Sequence, residues 1–86
     1  MVDDIVIYVA DFCPYCDRAK RLLDAKGVNY KTIDITEDDN IREEMIEKSS
    51  GRKTVPQIFI GKRHVGGFDD LSLLDKQGDL DKLIFE

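Results

Sequence analysis

The two residue types that most often hold structural metals are scarce here, with 2 cysteines and 1 histidine among 86 residues. A structural zinc site takes four ligands, drawn mainly from cysteine and histidine. The single histidine, His64, follows Arg63 in a predicted edge strand, where we expect a surface residue. The composition therefore disfavours a zinc site within the chain, and no metal is expected.

An excess of basic residues is also missing, because 13 Lys and Arg stand against 18 Asp and Glu, giving a net charge of −5. Neutralising phosphates supplies much of the affinity of proteins for nucleic acids, so no nucleic-acid partner is expected. No stretch approaches the roughly 20 apolar residues of a membrane span. The acidic start MVDDIVIYVADF lacks the basic region and cleavage site of a secretory signal. We expect a cytoplasmic protein with no membrane partner.

Repeats, low-complexity tracts and linkers are absent from the sequence as well. A chain of this size buries only roughly 60% of its unfolded surface, or a little more. That leaves no room for a second core, so the sequence predicts a single domain over residues 1–86. We expect Tyr8, Tyr30, Met45, Phe59 and the leucines to form its core.

The first half of the chain has the pattern of strand, helix and strand. Residues 5–9, IVIYV, are a continuous β-branched and aromatic run, typical of a strand buried on both faces. Apolar residues then recur at helical spacing from Pro14, which predicts a helix over residues 14–26 that stops at Gly27. Residues 28–35 predict a second strand, and this order of elements implies that it runs parallel to the first.

The second half predicts a helix, a hairpin and a final helix. Thr36 is the expected N-cap of the second helix, and residues 61–62 are the expected turn of the hairpin. Asp69 or Asp70 can cap the last helix, which Gly78 stops, and the tail adds a weak helical turn. The order β-α-β-α-β-β-α indicates the α/β class, with a four-stranded mixed β-sheet flanked by three or more helices.

The cysteines stand two residues apart, as Cys13 and Cys16, where the first strand gives way to the helix. Open α/β sheets place their functional crevice at this end of the parallel strands. A disulfide across so short a loop contributes little to folding. The pair could carry out reversible dithiol chemistry, supply half of a metal site, or do neither. The strand-to-helix setting favours dithiol chemistry.

The two sulfurs are not equivalent in this setting. Cys13 precedes the helix and faces its free N–H groups, whereas Cys16 lies on the inward face with Ala19 and Leu23. A helix N-terminus favours a thiolate by about 0.3–1 kcal/mol, and a hydrogen bond to a charged acceptor by roughly 1.5–3 kcal/mol. We therefore expect Cys13 to attack disulfides and Cys16 to resolve the product.

Three motifs in one chain, CPYC, TVPQIFI and GGFDDL, resemble those of the glutaredoxin family, specifically its small dithiol bacterial members. The resemblance covers nearly the whole sequence. It implies a thioredoxin fold, glutathione as co-substrate, and a glutathione-dependent thiol–disulfide oxidoreductase with Cys13 and Cys16 as its catalytic pair. Ala10 stands where many members carry lysine, and Phe68 where they often carry cysteine.

The resemblance also implies which residues bind glutathione. Pro56 would follow a cis peptide bond and face the cysteines, leaving the backbone of Val55 free to pair with an extended peptide. Gly66 and Gly67 let a ligand approach the backbone closely at the start of a helix. The N–H groups of the next two residues would hold the γ-glutamyl carboxylate, and an acid would take its amino group. The expected glutathione residues are Tyr15, Thr54, Val55, Pro56, Gly67, Phe68, Asp69 and Asp70.

The implied substrates are glutathionylated proteins and disulfide-containing proteins such as ribonucleotide reductase, handled by a monomer. An alternative is an iron–sulfur carrier, in which a [2Fe–2S] cluster bridges two chains through one cysteine each and two glutathiones. Pro14 in the CPYC motif argues against this alternative. A second alternative, a redoxin that takes electrons from thioredoxin reductase, is disfavoured by the glutathione motifs.

Overall fold

The computed structural model describes residues 4–85. The elements follow the predicted order, and the tail forms a full helix where only a weak turn was predicted. The strands and helices are β1 (Ile5–Val9), α1 (Pro14–Ala25), β2 (Lys31–Asp34), α2 (Asp39–Lys48), β3 (Gln57–Ile60), β4 (Arg63–Gly66), α3 (Phe68–Lys76) and α4 (Asp79–Phe85).

The four strands form one mixed sheet in the order β2-β1-β3-β4. β1 and β2 run parallel, while β3 is antiparallel to both β1 and β4. β1 lies inside the sheet, and four of its five residues are buried, as its unbroken apolar run predicts. Cys13 therefore lies beyond the carboxyl ends of the parallel strands β1 and β2.

Helices cover both faces of this sheet because side chains alternate along each strand. Ile5, Ile7 and Val9 of β1 share one apolar cluster with residues of α1, α3 and α4. Tyr8, from the opposite face of β1, packs in a second cluster with Met45 of α2. The molecule thus has three layers, with α2 alone among the described helices on one face.

The predicted core is confirmed in part. Tyr8 and Met45 are buried, whereas Tyr30 and Phe59 are only partly covered. The expectation that all leucines are buried is wrong, since Leu73 is 55% exposed. It lies on the outer side of α3, whereas Leu71 of the same helix is buried in the cluster that contains β1 residues.

Thr36 does not cap α2, contrary to the prediction. The N-cap is Asp38, whose side chain accepts a hydrogen bond from Ile41 N at 3.0 Å. Thr36 Oγ1 instead accepts a hydrogen bond from Asp11 N at 2.8 Å. Thr36 therefore ties the loop after β1 to the loop after β2, and its hydroxyl does not cap α2.

β2 begins at Lys31, three residues later than predicted. Gly27 N and Val28 N donate to carbonyl groups at the end of α1, so these residues terminate that helix and do not yet belong to the strand. Lys26, the C-cap of α1, reaches across to α3 and α4, with Nζ 2.5 Å from Asp75 and 2.9 Å from Asp81. No helix within residues 4–85 combines the length and apolar character needed to cross a membrane.

Candidate active site

Cys13 and Cys16 are joined as a disulfide, with their Cα atoms 5.2 Å apart. Cys13 is the N-cap of α1, and its Sγ accepts a hydrogen bond from Cys16 N at 3.1 Å. Pro14 occupies the first helical turn, where the absence of its N–H leaves no donor unsatisfied. Cys16 is 1% exposed and Cys13 only partly buried, so the outer sulfur is the accessible one.

A second segment, Thr54 to Pro56, faces the disulfide. The Val55–Pro56 peptide bond is cis, as the family resemblance implied. Cys13 Sγ lies 3.9 Å from the carbonyl oxygen of Val55. Pro56 is buried and leads directly into β3, so the sheet fixes one end of this segment beside the sulfur.

The start of α3 forms the third side of the site. Gly67 is the N-cap, and its N–H donates to Asp70 Oδ2 at 3.0 Å. The prediction that Asp69 or Asp70 is the N-cap is therefore wrong, because the acids lie inside the first turn. Gly66 has φ +116°, and a Cβ atom there would stand 2.8 Å from Arg52 Nη1 and 2.9 Å from Asp70 Cγ.

Arg52 completes this side of the site, and sequence reasoning did not find it. Its Nη1 lies 3.2 Å from Asp70 Oδ2, 18 positions further along the chain. The hydrogen bond from Gly67 N, followed by that from Arg52, lowers the pKa of the Asp70 carboxyl below its usual range. A cation two residues before the TVP motif was the available signal.

An open cavity of about 240 Å³ lies between these three segments. Every residue that the resemblance assigned to glutathione lines it, and Arg52 joins them. The Tyr15 and Phe68 rings flank the cavity with their centroids 6.2 Å apart. The lining residues are Tyr15, Arg52, Thr54, Val55, Pro56, Gly67, Phe68, Asp69 and Asp70.

His64 is not the surface residue that its edge strand predicted. It is partly buried, its Nε2 lies 2.7 Å from Gln57 Oε1, and its ring centroid is 4.8 Å from that of Phe59. Desolvation and then the nearby Arg52 charge lower the pKa of His64, against an opposing effect of Asp70. Within residues 4–85, no group of three or more His, Cys, Asp or Glu side chains is arranged to hold a metal ion.

A cysteine pair at the N-terminus of a helix, facing a cis-proline segment at the end of a parallel strand pair, defines the class of thiol–disulfide oxidoreductases. Residues 5–65 match the glutaredoxin family model. The chain is 53% identical over 81 residues to glutaredoxin 3 of Escherichia coli K12, covering 94% of this chain and 96% of that protein. This chain belongs to the glutaredoxin family.

Solved structures agree with this assignment. The solution structure of glutaredoxin from Brucella melitensis has 51% identity and a TM-score of 0.84, over 96% of this chain and 89% of that one. The crystal structure of a buckwheat glutaredoxin–glutathione complex has 32% identity and a TM-score of 0.86, over 94% of this chain and 76% of that one.

These likenesses confirm the thioredoxin fold and the predicted activity. The chain is a glutathione-dependent thiol–disulfide oxidoreductase. The alternative of a [2Fe–2S] carrier is not favoured by this family match and cysteine pair.

Proposed function

We propose that Cys13 is the attacking thiolate and Cys16 the resolving thiol. The observation that carries this assignment is the hydrogen bond from Cys16 N to Cys13 Sγ, 3.1 Å long, at the start of α1. After reduction the same N–H group and the helix terminus stabilise negative charge on that sulfur. Cys16 is buried beneath it and reacts only with a disulfide already formed at Cys13.

The reaction on a glutathione mixed disulfide begins with the Cys13 thiolate attacking the glutathione sulfur. The S–S bond of the substrate breaks, its thiol leaves as a thiolate and takes a proton, and Cys13 becomes glutathionylated. A second glutathione thiolate then attacks the glutathione sulfur held on Cys13, releasing glutathione disulfide and restoring the Cys13 thiolate. Cys16 is not needed on this route.

A protein disulfide follows a different course. Cys13 forms a mixed disulfide with one cysteine of the substrate, and Cys16 attacks Cys13 Sγ to release the second thiol. The enzyme is left with the Cys13–Cys16 disulfide, the form in which the pair is joined here. Two glutathione molecules then reduce it.

The cavity is the proposed glutathione site, and the buckwheat glutaredoxin of the same fold is described as a glutathione complex. The backbone of Val55 pairs with the extended peptide, and the N–H groups of Phe68 and Asp69 hold its γ-glutamyl carboxylate. Asp70 is already bonded to Gly67 N and Arg52, so the exposed Asp69 carboxylate is the one available to the ligand's amino group. Arg52 supplies a positive charge to the acidic tripeptide.

We infer that the substrates are glutathionylated proteins and disulfide proteins such as ribonucleotide reductase, and that the protein works in the cytoplasm, where glutathione keeps thiols reduced. Residues 1–86 act as one domain and as a monomer. Light scattering coupled to gel filtration tests the monomer, and a dimer of the reduced protein would contradict it.

The decisive experiment couples turnover of a glutathione mixed disulfide to glutathione reductase for wild type, Cys13→Ser and Cys16→Ser. We expect activity in the wild type and in Cys16→Ser, and none in Cys13→Ser. With a protein disulfide as substrate, Cys16→Ser should lose activity and trap a mixed disulfide. Loss of deglutathionylation in Cys16→Ser, or its survival in Cys13→Ser, would overturn the assignment of the two sulfurs.

A further inference from the structure

The stretch of residues 52–56, which lines the cavity beside Cys13, is tied to the fold by Ser49 before it and Gln57 after it, the buried polar side chains among residues 4–85. Ser49 Oγ donates to the carbonyl oxygen of Arg52 at 3.0 Å. Gln57 Nε2 donates to the carbonyl oxygen of Thr54 at 3.0 Å and lies 3.3 Å from Thr54 Oγ1. Both residues thus hold backbone oxygens of the segment that lines the glutathione cavity.

Gln57 is itself held from the neighbouring strand. Its Oε1 lies 2.7 Å from His64 Nε2, and its amide group donates from Nε2 to Thr54, so the histidine nitrogen is the donor in this pair. The His64 ring packs against Phe59 with centroids 4.8 Å apart. A chain of hydrogen bonds therefore runs from β4 through β3 to the segment beside Cys13.

We propose that Gln57 and His64 are positioning residues for the glutathione site, acting through Thr54 on the backbone of Val55. Neither residue lines the cavity. Gln57 is 0% exposed, so each of its polar atoms that loses a partner stays without water. A buried amide in that position is costly, and the segment shifts to relieve it. The inference rests on the proposed glutathione site.

The chain offers variants that separate this role from simple packing. His64→Leu removes the donor to Gln57 and keeps an apolar side chain against Phe59. His64→Gln restores an N–H donor of similar reach. Gln57→Met removes the bonds to Thr54 at nearly constant volume. Phe59→Leu is the matched control, because it removes the ring that packs on His64 but none of the atoms that make these hydrogen bonds.

Two readouts distinguish positioning from loss of structure. The KM for a glutathionylated peptide should rise about tenfold in His64→Leu and Gln57→Met, because small displacements of binding groups are costly, with a smaller change in kcat. The rate at which iodoacetamide alkylates Cys13, followed against pH, should stay as in wild type, since Cys16 N still holds that sulfur. His64→Gln should recover most of the lost affinity.

Three results would overturn the inference while wild type remains active. They are a KM within twofold of wild type in both His64→Leu and Gln57→Met, an equal rise in Phe59→Leu, and no recovery in His64→Gln. Should Gln57→Met fail to fold by circular dichroism, the partly exposed His64 site carries the test alone. Wild type without activity on the mixed disulfide would instead defeat the proposed function.

Discussion

At the scale of single residues, the Asp70 carboxylate links the backbone of Gly67 to the side chain of Arg52. Its Oδ2 receives both the Gly67 N–H and Arg52 Nη1, so one carboxylate fixes the start of α3 and the orientation of the arginine. An acid inside the first turn of a helix also complements the helix dipole. The negative charge on Asp70 therefore stabilises the folded state.

The pKa of Asp70 gives a prediction for stability against pH. Its folded pKa is lowered from 3.8, chiefly by the Gly67 N–H and then by Arg52. A lowered folded pKa contributes stability above the unfolded value, and this is lost as pH falls through the folded value. Urea unfolding at pH 7 and below pH 4 should therefore show a smaller loss of stability on acidification in Asp70→Asn than in wild type.

The matched control is Asp69→Asn, the exposed neighbour in the same turn. It should follow the wild-type dependence on pH. Equal slopes for wild type and Asp70→Asn between pH 7 and the acid limit would show that the carboxylate does not stabilise the native state.

At the scale of elements, the junction between β4 and α3 depends on Gly66. Its φ of +116° is unfavourable for any residue with a side chain, and a Cβ atom would press on Arg52 and Asp70. The chain can turn from strand to helix here only because no side chain is present. The same turn places Gly67 and the following N–H groups at the cavity.

Gly66→Ala should be costly in both stability and affinity. The backbone term is about 1–3 kcal/mol, and forcing a methyl group against its neighbours adds about 1–3 kcal/mol. Urea unfolding measures the total, and the KM for a glutathione mixed disulfide should rise because Arg52 and Asp70 must move.

Gly78→Ala is the control for this prediction. Gly78 also has a positive φ, +79°, but no atom lies within 4 Å of the position its Cβ would take. The control should lose about 1–2 kcal/mol from the left-handed backbone and keep its KM. Equal losses at both glycines would refute the role of crowding at Gly66.

Most elements were predictable because their signals are local. The apolar run of β1, the helical spacing after Pro14 and the turn at residues 61–62 all act within a few positions. The errors lie at element ends, where a competing partner decides. Thr36 lost its expected capping role because Asp11 N, 25 positions away, takes its hydroxyl, and Asp38 was free to cap α2.

Residues of the site were predictable where they belong to one contiguous stretch of sequence. The cysteines, the TVP segment and the paired glycines are contiguous motifs. Arg52 and His64 are not, because their partners Asp70 and Gln57 come from other elements of the fold. A single charged or aromatic residue near a motif marks a position but does not identify its partner, so the sequence alone could not predict these two pairs.

At the scale of the whole molecule, Lys26 joins the end of α1 to the two C-terminal helices. Its Nζ contacts Asp75 and Asp81, whose hydrogen bonds raise the pKa of the lysine. A raised folded pKa contributes stability below the unfolded value, and this is lost as pH rises through the folded value. The cluster therefore stabilises the packing of α1, α3 and α4 at neutral pH.

Lys26→Met should lower the midpoint of thermal unfolding at low salt, with a smaller difference from wild type in about 1 M NaCl, where the Debye length is about 3 Å. Lys82→Met is the control, because Lys82 contacts only Asp79 among the described ion pairs, at 4.0 Å and within one helix. It should change the midpoint little. A Lys26 effect that is equal at both salt concentrations would indicate lost packing of its alkyl chain instead of lost charge.

The cavity draws its lining from three stretches of chain, one at Tyr15, one at residues 52–56 and one at residues 67–70. During synthesis on the ribosome the cysteine pair emerges first, and the groups that select its partner follow dozens of residues later. Contacts between such distant stretches form only when most of the chain is available. The thiols are therefore synthesised before the groups that select their partner, and the selectivity of the pair arises only when α3 is in place.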